Sequence, residues 1–313
     1  MLQGIVMIFS SITPKTFKTL PTRWKHYQHE RLPLWKALPV VAAKSYTALT
    51  FTALIAHRDL PGLGTYLVTF LIGVLFHLQR RIGDDLHNAA HDRKKRPFMP
   101  IPRGLVSANE LRLLFALCIP VQALLSMALD VRLLGPLLVV LVFLQGLTFD
   151  FGLRGLIRKH PVFGLFLRML AAPLVMYFAT ACEWLPREGS PPVGVILLLL
   201  VTFSNSFVLE LGRKIRAPSE VVPDPLSYST LWGPRRSVVT WWLLINVSAI
   251  LSTIARAFRG APPEGILVLF VGVVLTAFFA YHFASSLKAS AAKRLEFMSV
   301  LWTVTMFLTL ALR

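Results

Sequence analysis

Asp84, Asp85, Asn88 and Asp92 stand in the order D-D-x-x-N-x-x-x-D, and Arg93-Lys94-Lys95-Arg96-Pro97 follows without a break. At about 100° per residue on a helix, these four oxygen-bearing side chains span an arc of roughly 100°, so they can converge on one small volume. An all-oxygen set suits a hard divalent cation such as Mg2+, which keeps waters and shares substrate phosphates. A second polar island, E-L-G-R-K-I-R-A-P-S-E-V-V-P-D, runs from Glu210 to Asp224. On a helix Glu210, Arg213 and Lys214 share one face by the i, i+3, i+4 rule. Phe203 and Phe207 precede Glu210 on nearly the same stripe, which predicts an aromatic slot leading to a charged end. A cation with neighbouring Arg and Lys, set over apolar sequence, describes a site for a diphosphate with a greasy tail.

The elements that must position these residues are membrane helices. The chain is 55% hydrophobic and only 15% charged, against about 25% charged in a typical globular domain. Spans of about 20 residues fall near 37–56, 63–82, 108–128, 132–150, 162–182, 192–212, 237–257, 265–287 and 293–312. The predicted fold is therefore all-α, a polytopic bundle of nine transmembrane helices around a central cavity. It occupies 37–313 and follows a basic segment, 1–36, whose Trp24, Tyr27 and Trp35 suit the inner membrane surface.

A net charge of +18 invites a nucleic-acid reading, but its distribution follows topology instead. With the N-terminus inside, only Arg58, Arg132, Arg187, Arg256, Arg259 and Arg313 fall outside among the arginines and lysines near span ends. That bias is the positive-inside pattern, and it places both polar islands on the cytosolic side of a cell (inner) membrane. Six of the fifteen carboxylates, Asp84, Asp85, Asp92, Glu210, Glu220 and Asp224, lie in those islands. Acidic residues are costly near a bilayer, so this concentration on one face predicts one shared site.

The first island, continuing through Pro102-Arg103-Gly104-Leu105-Val106-Ser107, resembles the first signature of the UbiA superfamily of intramembrane prenyltransferases. There an N-D-x-x-D-x-x-x-D cluster precedes R-P and a G-x-x-S turn. The second island takes the place of that family's second aspartate-rich motif, after the sixth helix. The resemblance implies Mg2+-dependent transfer of an isoprenyl group from a prenyl diphosphate to a small-molecule acceptor, expected to be aromatic, among membrane lipids. It implies Mg2+ held by Asp84, Asp85, Asn88 and Asp92, with Glu210, Glu220 and Asp224 from the second motif. Diphosphate contacts are expected from Arg93, Lys95, Arg96, Arg103, Arg213, Lys214 and Arg216, and the catalytic core from Asp85, Asn88, Asp92, Glu210 and Lys214. Two departures stand out: Asn88 replaces an aspartate, and the second motif runs into G-R-K-I-R rather than an aspartate run.

Other signals read more plainly. His87 and His91 lack the H-E-x-x-H context of a zinc enzyme and suit hydrogen bonding beside the site. Ser107 and Glu110 form a capping box that opens the third span. Asp150 is expected to pair with Arg154 at i+4, and Arg168 must point into the bundle or snorkel. Cys118 and Cys182 lie inside spans without ligand-type neighbours and read as packing residues. Trp184, Trp241, Trp242 and Trp302 suit interfacial anchoring or lipid packing. Competing readings are a UbiA-type terpene cyclase, which would fold the same cation onto its own double bonds, and a transporter or permease. A transporter predicts charges near mid-bilayer, whereas these cluster at one face. A CDP-alcohol phosphotransferase is disfavoured because its D-G-x-x-A-R run is absent.

Overall fold

In lipid, each backbone polar group must find its partner within the protein, so long apolar runs become helices. The computed structural model describes residues 14–187, 189–218 and 228–312. Its elements are helices α1 (Pro14–Arg31), α2 (Leu34–Ile55), α3 (Leu63–Lys95), α4 (Ala108–Leu129), α5 (Leu134–Thr148), α6 (Arg154–Lys159) and α7 (Pro161–Met169). Then follow α8 (Ala171–Trp184), α9 (Val195–Lys214), α10 (Tyr228–Trp232), α11 (Pro234–Phe258), α12 (Glu264–Ser286) and α13 (Ala289–Ala311). Short 3-10 turns precede α5 and follow it, and the described residues contain no strand. Nine helical segments among the described residues are long and apolar enough to cross a membrane. They coincide with the expected spans, and α7 and α8 together make the fifth. The chain is an integral membrane protein with the all-α bundle its hydropathy predicts.

The segments close into a ring. Helix α2 packs on α3, α8 and α13; α8 continues to α9; α9 meets α11 and α13; α12 sits between α11 and α13. Contacts from α2 to α13 join the two ends of the bundle: Thr47 Oγ1 donates to the Phe307 carbonyl at 2.7 Å, and Lys36 pairs with Glu296 at 2.9 Å.

Two features bear directly on the site. Helix α3 has 33 residues, about 50 Å at 1.5 Å per residue, whereas the hydrocarbon core is about 30 Å thick. The D-D-x-x-N-x-x-x-D residues therefore ride on a rigid helical extension rather than on a loop. That helix stops where Pro97 forbids continuation, with Arg96 N bonded to the Asp92 carbonyl. The link to α4 turns at Gly104, whose φ of 77° needs a glycine, and ends in the expected capping box of Ser107 and Glu110.

Trp241 and Trp302 differ from their expected place at the lipid boundary. Both are buried, and their indole N–H groups donate to Ser299 Oγ at 2.9 Å and Ser248 Oγ at 3.0 Å. A serine on a neighbouring helix supplies the polar partner an interface would otherwise provide. Trp184 is likewise buried. Cys118 and Cys182 are free and buried, as packing residues are.

Candidate functional site

One cavity of about 480 Å3 runs between α2, α3, α8, α9 and α13. Val40, Val41, Phe76, Val175, Met176 and Phe178 form its apolar wall, with the Phe76 and Phe178 rings edge to face at 5.4 Å. The ring end that carries the polar islands is different. There Arg31, Lys36, Arg80, Arg81 and Arg213 face the cavity together with Glu30, Asp84, Glu210 and Glu296. Lys44 and His77 face it deeper within the membrane-spanning part. Asp84 and Glu210 thus reach one cavity from motifs more than a hundred residues apart.

Helix geometry decides which motif residues reach it. The cavity face of α3 carries Gly73, His77, Arg80, Arg81 and Asp84. Asp85 lies a further 100° around the helix, and its buried carboxylate meets α1 instead. Tyr27 Oη donates to Asp85 Oδ2 at 2.8 Å, while Arg31 donates Nε to Oδ1 at 3.0 Å and adds a second contact through Nη2. Asn88 and Asp92 stand one and two turns beyond Asp84. Asn88 Nδ2 donates back to the Asp84 carbonyl at 2.8 Å, and Asp92 is buried. Neither is among the described residues lining the cavity.

On α9 the cavity is met by Ser206, Leu209, Glu210 and Arg213. Glu210 holds Arg213 at 2.7 Å and Lys214 at 2.6 Å, and Lys214 also sits over the Tyr228 ring at 5.5 Å. The stripe of Phe203 and Phe207 does not line this slot. Both rings pack on Phe166 of α7, at 6.0 and 5.1 Å, because they lie on the other side of the Glu210 position around α9.

Of the expected diphosphate contacts, Arg213 is on the cavity wall. Arg93, Lys95, Arg103 and Arg216 are exposed outside it, and Arg96 is not among the lining residues. Arg103 pairs with Glu30 at 2.7 Å. Helical periodicity explains this: after Asp92 the basic run circles the end of α3 instead of following its cavity face. Glu220 and Asp224 lie outside the described residues. The sequence reading missed Arg31, Lys44, Arg80 and Arg81 as site residues. Arg80 and Arg81 read as topology charge, while Lys44, a lone cation inside the first apolar run, carried the signal that intramembrane charge is functional.

A polar node adjoins the cavity through Arg80, Asp84 and Leu144, which border both it and a small neighbouring pocket. His87 Nδ1 lies 3.3 Å from the Thr148 carbonyl, so this nitrogen carries the proton and Nε2 accepts from Arg168 Nη2 at 3.1 Å. Asp150 faces His87 at 3.7 Å and Arg168 at 3.5 Å. The pairing expected of Asp150 with Arg154 falls on a side chain outside the described residues. Asp150 and Phe151 adopt left-handed φ values of 53° and 50°, which non-glycine residues keep only where surroundings enforce it.

The donor set suits Mg2+ as a shared ion rather than a caged one. Among the described residues no group of three or more His, Cys, Asp or Glu is arranged to hold a metal. Asp84 nevertheless presents a carboxylate to the cavity beside Arg80 and Arg81, and Mg2+ commonly takes one or two carboxylates plus substrate phosphates.

No family model and no curated protein sequence matches the chain. Solved structures do. One, described as giving structural and mechanistic insights into digeranylgeranylglyceryl phosphate synthase in membranes, is 15% identical, with a TM-score of 0.56 over 89% of this chain and 97% of that one. A UbiA homolog from Aeropyrum pernix K1 is 14% identical, with a TM-score of 0.63 over 86% of this chain and 96% of that one. Since the ring of helices matches both over nearly their full lengths, this chain has the UbiA-type fold that its first motif led us to expect.

Proposed function

We propose that the protein transfers an isoprenyl group from a prenyl diphosphate to an acceptor inside the membrane. The observation that carries this reading is the cavity itself: a cationic end with two motif carboxylates, Asp84 and Glu210, over an apolar interior. Its volume of about 480 Å3 lies within the usual 300–1,000 Å3 of ligand sites. The diphosphate is placed against Arg80, Arg81 and Arg213, with the chain along Val40, Val41, Val175 and Met176. Mg2+ would be held by Asp84 at the cavity wall, completed by water and substrate phosphate, and it would supply charge neutralisation on the departing diphosphate. Preorganised guanidinium groups stabilise the same developing charge without reorganising.

Breaking the carbon–oxygen bond leaves an allylic cation. The Phe76 and Phe178 rings face the cavity where aromatic faces can stabilise positive carbon, and the apolar walls keep water away until the acceptor attacks. The new bond forms at the allylic carbon, diphosphate leaves with the bonding pair, and the acceptor loses its proton. We take the acceptor to be aromatic and the polar end to face the cytosol, on the charge bias of the connecting segments. The test is diphosphate release by purified protein given Mg2+, prenyl diphosphates of graded length and aromatic acceptors. Turnover with a prenylated product supports the reading. Absence of diphosphate release with every donor overturns it, and a cyclic hydrocarbon formed without acceptor replaces transfer with cyclisation.

A further inference from the structure

Helix α1 is docked on the bundle at three points. Tyr27 is buried with Ile82, Val106, Leu111 and Phe115. Arg23 donates to the Leu105 carbonyl at 2.8 Å and pairs with Glu110 at 3.1 Å. Glu30 pairs with Arg103 at 2.7 Å. At the C-terminal end of α1 Asp85 grips Arg31 along one edge of the guanidinium, using Nε and Nη2. Because a guanidinium is a planar fork with five N–H donors, holding that edge leaves the Nη1 side to point elsewhere. There, among the described residues, it meets only the Met99 sulfur, at 3.7 Å, and Arg31 lies on the cavity wall near Arg80, Arg81 and Asp84.

We infer that Arg31 is a diphosphate-binding residue, delivered by the N-terminal helix, and that Asp85 and Tyr27 are positioning residues that aim it. The inference deepens the proposed function and rests on it. Anion recognition explains why a buried carboxylate of the signature is spent on an arginine. The fork that binds carboxylate on one edge matches phosphate oxygens on the other. It also gives the segment before the first span a chemical role that its basic composition alone does not.

The test measures binding of inorganic pyrophosphate by calorimetry to the full-length protein, with Mg2+ and again with a chelator. Wild-type protein should bind pyrophosphate; if it binds none under either condition, the functional reading fails and this inference with it. Arg31→Lys keeps a charge against Asp85 but loses the fork. The double variant Arg31→Gln with Asp85→Asn leaves no unpaired buried charge, so folding, checked by thermal denaturation, does not depend on the salt bridge. Both should bind pyrophosphate about 10-fold or more weakly, the loss expected for a charge-assisted hydrogen bond, and Tyr27→Phe should raise KM for the prenyl diphosphate while kcat stays near wild type. Wild-type affinity in folded Arg31→Lys overturns the inference while the functional reading stands. So does a loss in the double variant with no loss in Arg31→Lys, which would make Asp85 itself the group that matters.

Discussion

Gly212 sits between Glu210 and Arg213, where α9 crosses α13, and its replacement by alanine tests how the second motif is held. A Cβ there would lie 1.9 Å from Ser299 Oγ, 2.9 Å from Ser299 Cβ and 3.1 Å from Trp241 Nε1. The Ser299 hydroxyl accepts from that indole at 2.9 Å and donates to the Leu295 carbonyl at 2.8 Å. Room can be made by turning the hydroxyl away, which orphans the buried Trp241 N–H at about 1–3 kcal/mol. Parting the two helices costs about 1–3 kcal/mol as well, the usual penalty of overpacking. Alanine regains about 1 kcal/mol of helix propensity over glycine. The net expectation for Gly212→Ala is a loss of about 1–5 kcal/mol, with kcat/KM falling too because Glu210 and Arg213 move with the helix. Ser299→Ala alone should cost about 1–3 kcal/mol. Combined with Gly212→Ala it should cost less than the two added, by about 1 kcal/mol, since the hydroxyl is the nearest obstacle. Reversible unfolding in mixed micelles measures all three. A Gly212→Ala protein within about 0.5 kcal/mol of wild type, or a strictly additive pair, refutes the packing argument.

Asp84→Asn should raise the Mg2+ concentration for half-maximal turnover by about 10-fold or more, since loss of an anionic donor removes at least about 1.4 kcal/mol from ion binding; a Mg2+ titration of diphosphate release decides it. Glu210→Gln leaves Arg213 and Lys214 without their carboxylate. Because those partners are 43% and 33% exposed, solvent screening cuts the loss to about 1–2 kcal/mol, read as a lowered melting temperature. Burial, reinforced by the Asp85 carboxylate, pushes the Tyr27 phenol well above its ordinary value. A raised value favours the protonated form, so the donor to Asp85 persists below pH 10 and is lost only as pH climbs well past it. Ultraviolet titrations of wild type and Tyr27→Phe should therefore coincide to about pH 11, and one fewer phenolate in the variant below that pH would contradict the buried placement.

Much of the architecture was legible because lipid imposes a simple demand. Long apolar runs bounded by charge can be read one at a time, and they marked all nine membrane segments of the described chain. The site was legible as a place more than as a set of contacts. Composition and spacing brought Asp84 and Glu210 together, yet which of Asp84 and Asp85 faces the cavity depends on neighbours that periodicity cannot supply. Tyr27 and Arg31 reach Asp85 from 58 and 54 residues away, a tertiary choice with no local signature. Arg80 and Arg81 were absorbed into the topology signal because span-end arginines serve both purposes. The Phe203 and Phe207 stripe was real as a pattern, but α7 claimed it. Trp241 and Trp302 escaped for a similar reason, since their serine partners lie 58 and 54 residues distant.

The closure of the ring by α2 and α13 has a bearing on how the protein is made. Thr47 and Lys36 wait for partners 260 residues downstream, which at about 5–20 residues per second is on the order of 10–50 s of translation. Throughout that interval the nascent chain carries Lys36, Lys44 and the α3 arginines in a half-built barrel open toward lipid or translocon. Completion of the cavity is thus a late event of biogenesis. Lesions in the final helix should show up first as proteins cleared by membrane quality control, before any defect in chemistry can be assayed.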